Sequence, residues 1–141
     1  MAIERTLCII KPDVVEKNKV GQVLARLEQE GFRILALRMV RMARHVAEAF
    51  YAEHRERPFF GGLVEFMTSG PSVVVELERE DAISTYRALM GATDSRKAAD
   101  NTLRQLFGTD NQRNAVHGSD KPESARRETA FFFAETDVCT R

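Results

Sequence analysis

The sequence predicts an α+β fold in which helices cover an antiparallel sheet of four strands. The candidate strands are few and short, and segments with helical spacing separate them along the chain. The chain has 141 residues, of which 43% are hydrophobic, so residues 1–141 suit a single domain with a substantial core.

The first third of the chain predicts a strand, a helix and a second strand. Residues 6–10 are apolar and rich in β-branched side chains, and Pro12 ends this strand because proline cannot donate to a sheet. Valine and leucine recur at helical spacing over residues 20–27, and Gly31 provides a C-terminal stop. Residues 32–42 alternate in part, which indicates the second strand.

The middle of the chain predicts two helices, a strand and a third helix. Residues 44–54 and the shorter segment 59–67 have helical patterns, and the Ser-Gly-Pro turn at 69–71 follows them. Residues 72–77 include three consecutive valines and form the clearest strand. Residues 81–90 place their apolar side chains on one stripe of a helix.

The last third predicts a long loop, a short helix and the fourth strand. Residues 91–113 are polar and irregular, and long ordered loops in compact domains are often functional. Residues 124–130 indicate a short helix that leads into a final strand over 131–133. The order β-α-β-α-α-β-α-loop-α-β fits a ferredoxin-like αβ sandwich, with the helices expected on one face of the sheet.

Charge and cysteine content limit the classes of function. The 21 basic and 21 acidic residues balance, which argues against nucleic-acid binding driven by bulk charge. Cys8 lies in an apolar run, and neither it nor Cys139 has metal-type spacing, so free thiols in a reducing compartment are expected. No targeting segment and no apolar run of membrane length occurs, so we expect a soluble cytoplasmic protein.

His117 is the strongest candidate for catalysis because of its segment, Asn-Ala-Val-His-Gly-Ser-Asp at 114–120. The run is small and polar, offers the ring no apolar wall, and places after it a glycine that frees the backbone. A neutral imidazole is also a good nucleophile towards phosphorus. A histidine in a surface turn, or in the core with a backbone hydrogen bond, remains the alternative for this residue alone.

A helix is predicted to begin beside His117. Asp120 and Glu123 form a capping-box pattern with Pro122 in the first turn, and a helix N-terminus favours bound anions. Glu128 lies far enough along this helix to fold back towards the ring and fix its tautomer. Capping alone is the larger expectation for Asp120 and Glu123.

Three cations could together neutralise a polyphosphate. Lys11 ends a buried strand, Arg87 lies near the apolar stripe of its helix, and Arg104 follows the start of the long loop. Each alone is usually a solvated surface charge, but two bidentate arginines and a lysine suit phosphate oxygens. The sequence has neither the Gly-x-x-x-x-Gly-Lys-Ser/Thr loop nor the dinucleotide fingerprint.

Phe59 is the candidate for stacking on a base. Phe59 and Phe60 precede two glycines; Phe60 is expected in the core, and Phe59 at the mouth of a cleft, where its ring would accept any base. His45 and His54 have no partner spacing and are expected at the surface.

Five ordered segments resemble the nucleoside diphosphate kinase family over essentially the whole chain. They are Arg-Thr-Leu-Cys-Ile-Ile-Lys-Pro-Asp at 5–13, Arg-Pro-Phe-Phe at 57–60, Met-Thr-Ser-Gly-Pro at 67–71, Gly-Ala-Thr-Asp at 91–94, and the histidine segment at 114–120. The resemblance implies a ferredoxin-like fold and a ping-pong reaction. A nucleoside triphosphate, typically ATP, would phosphorylate a histidine, and a nucleoside diphosphate would then take the group. Mg²⁺ would arrive with the nucleotide phosphates, without a dedicated metal site.

The resemblance also implies a role for each matching position. His117 would become the phosphohistidine, and Tyr51 would lie beside it. Glu128 and Ser119 would orient the ring, and Phe59 would stack on the base. The residues that would hold the phosphates and sugar are Lys11, Arg87, Thr93, Arg104 and Asn114.

Two other functions stay open at this point. A phosphohistidine relay module would use the same histidine but pass phosphate to a protein. A nucleic-acid-binding ferredoxin-like module would need a basic sheet face with exposed aromatics, which the zero net charge disfavours. By analogy with short-tailed members of the family, the chain ending at Arg141 is expected to form a homo-oligomer, a tetramer or a dimer.

Overall fold

A four-stranded antiparallel sheet forms the centre of the computed structural model, which describes residues 2–141. The strand order is β2-β3-β1-β4, so that β1 and β3 are central and β2 and β4 are the edges. The strands are β1 (Ile3–Ile10), β2 (Arg33–Val40), β3 (Ser72–Glu80) and β4 (Val116–Gly118). The predicted α+β class, with helices covering an antiparallel sheet, is confirmed.

Within residues 2–141, seven α-helices connect and cover the strands. They are α1 (Pro12–Glu16), α2 (Val20–Gln29), α3 (Arg44–Phe50), α4 (Phe60–Met67), α5 (Ala82–Met90), α6 (Leu103–Phe107) and α7 (Pro122–Phe132). The predicted loop at 91–113 is partly helical, because it contains α6 and a 3₁₀ turn at Ser95–Lys97. Within residues 2–141, no helix is both long and apolar enough to cross a membrane.

The helices cover both faces of the sheet, whereas one covered face was expected. Leu7 and Ile9 of β1 pack with side chains of α3, α4 and α7. Cys8 and Ile10 pack with side chains of α2 and α5. Because successive side chains of a strand point to opposite faces, these are two separate cores. The uninterrupted apolar run of β1 is typical of a strand buried on both sides.

The fourth strand lies in a different place from the one predicted. Residues 131–133 were expected to form it, but α7 continues to Phe132, and Ala125, Glu128 and Phe132 are buried at helical spacing. β4 instead contains the candidate histidine, with His117 opposite Ile9 of β1. Three consecutive phenylalanines suggested a strand, but Phe132 and Phe133 pack in the core formed with α3 and α4.

The start of α7 also differs from the expected capping box. Lys121 is the N-cap residue and makes no side-chain capping bond, while Pro122 occupies the first turn as predicted. Glu123 lies 3.9 Å from the Lys121 ammonium instead of reaching back to Asp120. The pattern in the sequence was right about where the helix begins and wrong about what caps it.

Candidate active site

A cleft of about 250 Å³ gathers most of the predicted site residues. Eight of them line it: Lys11, Tyr51, Phe59, Thr93, Arg104, Asn114, His117 and Glu128. His117, Glu128 and Tyr51, together with Lys11, Arg104 and Asn114, form what we call the inner end. Phe59, Leu63, Asn111 and Gln112 form the outer end. Ser119 and Arg87 are absent from the lining.

The inner end is organised around a hydrogen-bonded imidazole. His117 Nε2 lies 2.7 Å from Glu128 Oε1, and the hydroxyl of Ser119 donates to the same oxygen at 2.9 Å. An ionised carboxylate can only accept, so Nε2 carries the proton in this arrangement. Nδ1 has no hydrogen-bond partner among residues 2–141, and its lone pair is therefore available. Glu128 and Ser119 are both buried, which fixes their positions behind the ring.

Two aromatic side chains contact the His117 ring from another side: Phe50, the last residue of α3, and Tyr51, which follows it. Phe50 and Tyr51 lie edge-on to His117, with ring centroids 5.4 Å and 6.2 Å away. Such edge-to-face contacts are favourable and orient the imidazole. The run around His117 offers no apolar wall, but a distant segment supplies one. The Tyr51 hydroxyl is buried, and within the described residues it has no hydrogen-bond partner.

Gly118 is needed for close packing and not for backbone freedom. Its φ is not positive, and a Cβ built on it would lie 2.7 Å from the ring of Tyr86. The Tyr86 hydroxyl donates to the His117 carbonyl at 3.1 Å. The residue after the candidate nucleophile must therefore be small because α5 packs directly against β4.

A buried lysine and asparagine form the second part of the inner end. Lys11 Nζ donates to Asn114 Oδ1 at 2.8 Å, and Asn114 Nδ2 donates to the Thr93 carbonyl at 3.0 Å. Lys11 is only 6% exposed. Burial, together with the nearby Arg104 charge, lowers the pKa of Lys11 from 10.5 to about 8. A cation buried in this way gains more from an anionic ligand than a solvated one does.

Arg104 is the other buried cation of the cleft. Its Nη1 donates to the Gly91 carbonyl at 3.1 Å, and its Nη2 donates to the Val116 carbonyl at 3.0 Å. Its Nε is buried and has no partner in the described part of the chain. Burial lowers the pKa of Arg104, and the charge of Arg87 lowers it further. Arg87 itself is exposed on α5, near Arg104 but outside the lining of the cleft.

The outer end is open to solvent. Phe59 is 52% exposed, as expected for a ring at the mouth of a cleft. His54 lies 5.5 Å from Phe59, ring centroid to ring centroid, and lines the cleft, although it was expected to be an ordinary surface residue. Its position three residues after Tyr51, in a 3₁₀ turn, brings it to the same side. Asn111 and Gln112 also line the cleft and were missed because the loop gave no signal.

The polar groups of the inner end suit an anion better than a metal ion. Ammonium, guanidinium and amide groups converge there, and buried Nε and hydroxyl atoms lack partners among the described residues. No group of three or more His, Cys, Asp or Glu side chains with metal-binding geometry occurs within residues 2–141. The arrangement can bind phosphate oxygens beside an imidazole whose Nδ1 is available.

The chain is similar to known proteins over nearly its whole length. The family model for nucleoside diphosphate kinase matches residues 4–138. A nucleoside diphosphate kinase of Nitrosospira multiformis is 57% identical over 141 residues, which is all of both chains. The crystal structure of the Aquifex aeolicus nucleoside diphosphate kinase has a TM-score of 0.95 at 53% identity, covering 97% of this chain and 99% of that one. A halophilic nucleoside diphosphate kinase from Halobacterium salinarum, in complex with CDP, has a TM-score of 0.95 at 39% identity, covering 99% and 93%.

Proposed function

The chain belongs to the nucleoside diphosphate kinase family and is a phosphotransferase, and we propose that it works by ping-pong transfer through a phosphohistidine. The γ-phosphate of a nucleoside triphosphate such as ATP passes to His117, and a nucleoside diphosphate then receives it. The observation that carries this proposal is the hydrogen bond between His117 Nε2 and Glu128, which leaves Nδ1 as the nucleophile.

In the first half-reaction, Nδ1 forms a bond to the γ-phosphorus while the bond from phosphorus to the β,γ-bridging oxygen breaks. The nucleoside diphosphate leaves with that oxygen. The imidazole then carries positive charge, which the Glu128 carboxylate stabilises through the Nε2 proton. The second half-reaction reverses these steps with a different diphosphate, and His117 returns to its neutral form.

The cations of the inner end stabilise the transferring group. Phosphoryl transfer depends on positioning and on positive charge around the equatorial oxygens, and much less on an acid–base pair. Lys11 and Arg104 are buried in the cleft and therefore act at low effective dielectric. The buried Tyr51 hydroxyl, for which residues 2–141 provide no hydrogen-bond partner, is a further donor for the phosphate.

The nucleotide lies along the cleft with its base at the outer end. Phe59 stacks on the base, while Asn114 and Thr93 contact the sugar and phosphates. Stacking alone tolerates any base, which suits a broad range of nucleotides. Mg²⁺ would arrive with the nucleotide, held by its phosphates, and would supply charge neutralisation there, while Lys11 and Arg104 would add positive charge from the protein.

One experiment tests this function directly. Purified protein mixed with ATP, Mg²⁺ and GDP should produce GTP. Protein that has been labelled with the γ-phosphate of ATP should lose the label in acid and keep it in alkali. An acid-stable label would point to serine, and Ser119 would be the first candidate. Labelled protein that passes phosphate only to another protein, and never to GDP, would favour the relay function instead.

Assembly and location complete the proposal. Leu37 and Met39 are 48% and 58% exposed on the edge strand β2, which is consistent with a dimer or tetramer. Light scattering with size exclusion measures the oligomeric state, and a monomer at micromolar concentration would contradict this expectation.

Cys8 and Cys139 are free, as in the reducing cytoplasm where we expect the protein. We expect residues 1–141 to fold as one domain.

A further inference from the structure

Asp13 is a buried carboxylate beside the cleft whose role the proposed mechanism does not explain. It lies in the first turn of α1 and is 3% exposed. Its Oδ2 accepts a hydrogen bond from the backbone N–H of Ala115 at 3.1 Å. Its Oδ1 has no partner within residues 2–141. Burying a carboxylate costs free energy. The burial of Asp13, whose side chain accepts a hydrogen bond from one backbone amide, therefore requires an explanation.

The conformation of Ala115 provides this explanation. Its φ is +74°, a positive value that residues other than glycine rarely adopt, and the residue is completely buried. Its N–H is bound by Asp13, and its carbonyl accepts from the backbone N–H of Lys11 at 2.8 Å. Both polar groups of Ala115 are therefore held by residues 11–13. Backbone strain of this kind persists only where the surroundings impose it.

We propose that Asp13 is a positioning residue, whose carboxylate holds Ala115 at its positive φ so that Asn114 and His117 face the same cleft. Without the bond, the backbone at Ala115 would relax to an ordinary conformation. The Lys11–Asn114 contact of 2.8 Å and the direction of β4 would then change together. The catalytic consequence rests on the proposed function, but the role in the backbone does not.

Three variants isolate the hydrogen bond from the charge. Asp13→Ala should slow phosphorylation of His117, in single turnover at saturating ATP–Mg²⁺, about 10- to 100-fold, because small misplacements cost up to about that much. Asp13→Asn keeps an acceptor oxygen without the charge and should stay within about 3-fold of wild type. Adding Ala115→Gly to Asp13→Ala should recover about 5-fold or more, because glycine adopts positive φ at no steric cost.

Glu4→Ala is the matched control. Glu4 Oε1 accepts from the backbone N–H of Ile83 at 3.2 Å, which is the same kind of bond at a place outside the cleft. Its loss should leave the single-turnover rate unchanged. An equal slowing in Glu4→Ala would mean that any lost carboxylate–amide bond slows the enzyme, and the specific role of Asp13 would be wrong.

The proposal is overturned if Asp13→Asn is as slow as Asp13→Ala, because the role would then be the negative charge beside Lys11. It is also overturned if a folded double variant shows no recovery. If Asp13→Ala alone does not fold, folding restored by Ala115→Gly supports the role, and failure of both variants contradicts it.

Amide hydrogen exchange at Ala115 measures the hydrogen bond from Ala115 to Asp13 independently of catalytic activity. Protection should fall in Asp13→Ala and persist in Asp13→Asn, and unchanged protection in Asp13→Ala contradicts the proposal. A wild-type protein that fails to make GTP would refute the proposed function while leaving this measurement valid.

Discussion

The two ends of the cleft are built in opposite ways. At the inner end, Lys11, Arg104 and Glu128 are each no more than 9% exposed, and every one of them is hydrogen-bonded. At the outer end, Phe59 is 52% exposed, and Asn111 and Gln112 are exposed as well. Preorganised polar groups in a desolvated site act mainly on a transition state, whereas an exposed ring can only hold a ligand. We therefore expect inner-end changes to lower the rate and outer-end changes to weaken binding.

The largest effect should come from His117→Ala. Loss of the nucleophile should lower transfer from ATP to GDP by about 10⁴-fold or more, the scale found when a catalytic nucleophile is removed. The fold should survive, because the ring is held by contacts at the edge of a core and not within it. His54→Ala, at the cleft but outside the inner end, is the control and should change the rate little. Turnover retained by purified His117→Ala would remove His117 from the mechanism.

The inner end could be predicted largely from the sequence because its residues lie in short segments that carry a signal. The reach of Glu128 back to His117 follows from a helix that begins at a proline. The strand position of His117 could not be predicted, because Val116-His117-Gly118 is too short and polar to indicate a strand. The conformation of Ala115 is invisible in the sequence, since alanine gives no sign of positive φ. His54 was missed because the 3₁₀ turn that brings it beside Phe59 has no pattern.

Lys11→Met separates catalysis from stability at the inner end. The rate of the phosphoryl step should fall about 10²- to 10³-fold, as for the loss of one preorganised donor. The lowered lysine pKa, from 10.5 to about 8, means that its charge costs the folded state roughly 3 kcal/mol at pH 7. Loss of the bond to Asn114 costs about 1–3 kcal/mol, because the buried Oδ1 of Asn114 is left without a donor. Chemical denaturation should therefore show a stability equal to wild type or up to about 2 kcal/mol higher.

A wild-type rate for Lys11→Met in single turnover would contradict the role of the cation. A strong loss of stability would contradict the expectation that the buried charge of Lys11 destabilises the folded state. Lys11→Ala gives the same loss of charge with a cavity in addition, so it should be less stable than Lys11→Met and equally slow.

The pH dependence of kcat/KM should report the same lysine. Lys11 is protonated below its pKa of about 8 and loses its charge above it, so kcat/KM should fall up to about tenfold per pH unit beyond that point. Burial raises the pKa of Tyr51, and that of Cys8 to about 12, so neither titrates in this window. Stability should change in the opposite sense. Because the unfolded chain binds the proton more tightly, unfolding free energy should rise between pH 8 and 10.5. A flat profile of kcat/KM from pH 7 to 9 would contradict this assignment.

Phe59→Ala should affect the outer end alone. Loss of base stacking should raise KM for ATP and GDP about 5- to 150-fold, because stacking contributes roughly 1–3 kcal/mol per base. The single-turnover rate at saturating nucleotide should stay within about 2-fold, since the ring does not contact the reacting atoms. Phe59→Tyr keeps the stacking face and serves as the control. A fall in the saturating rate with unchanged KM would mean that the two ends are coupled and that the contrast drawn between them is wrong.

The smallest effect should come from Arg87→Ala, and it tests where the inner end stops. Arg87 is exposed on α5 and does not line the cleft, although its charge reaches Arg104. An exposed charge that acts only through solvent should contribute about 3-fold or less to kcat/KM, and less still at high salt. Arg104→Ala, which removes a buried guanidinium only a short distance away, should cost at least about 100-fold. A loss for Arg87→Ala that matches the loss for Arg104→Ala, and that persists at high salt, would show that Arg87 moves into direct contact with the phosphates. The inner end would then be completed by nucleotide binding and would not be fully formed beforehand.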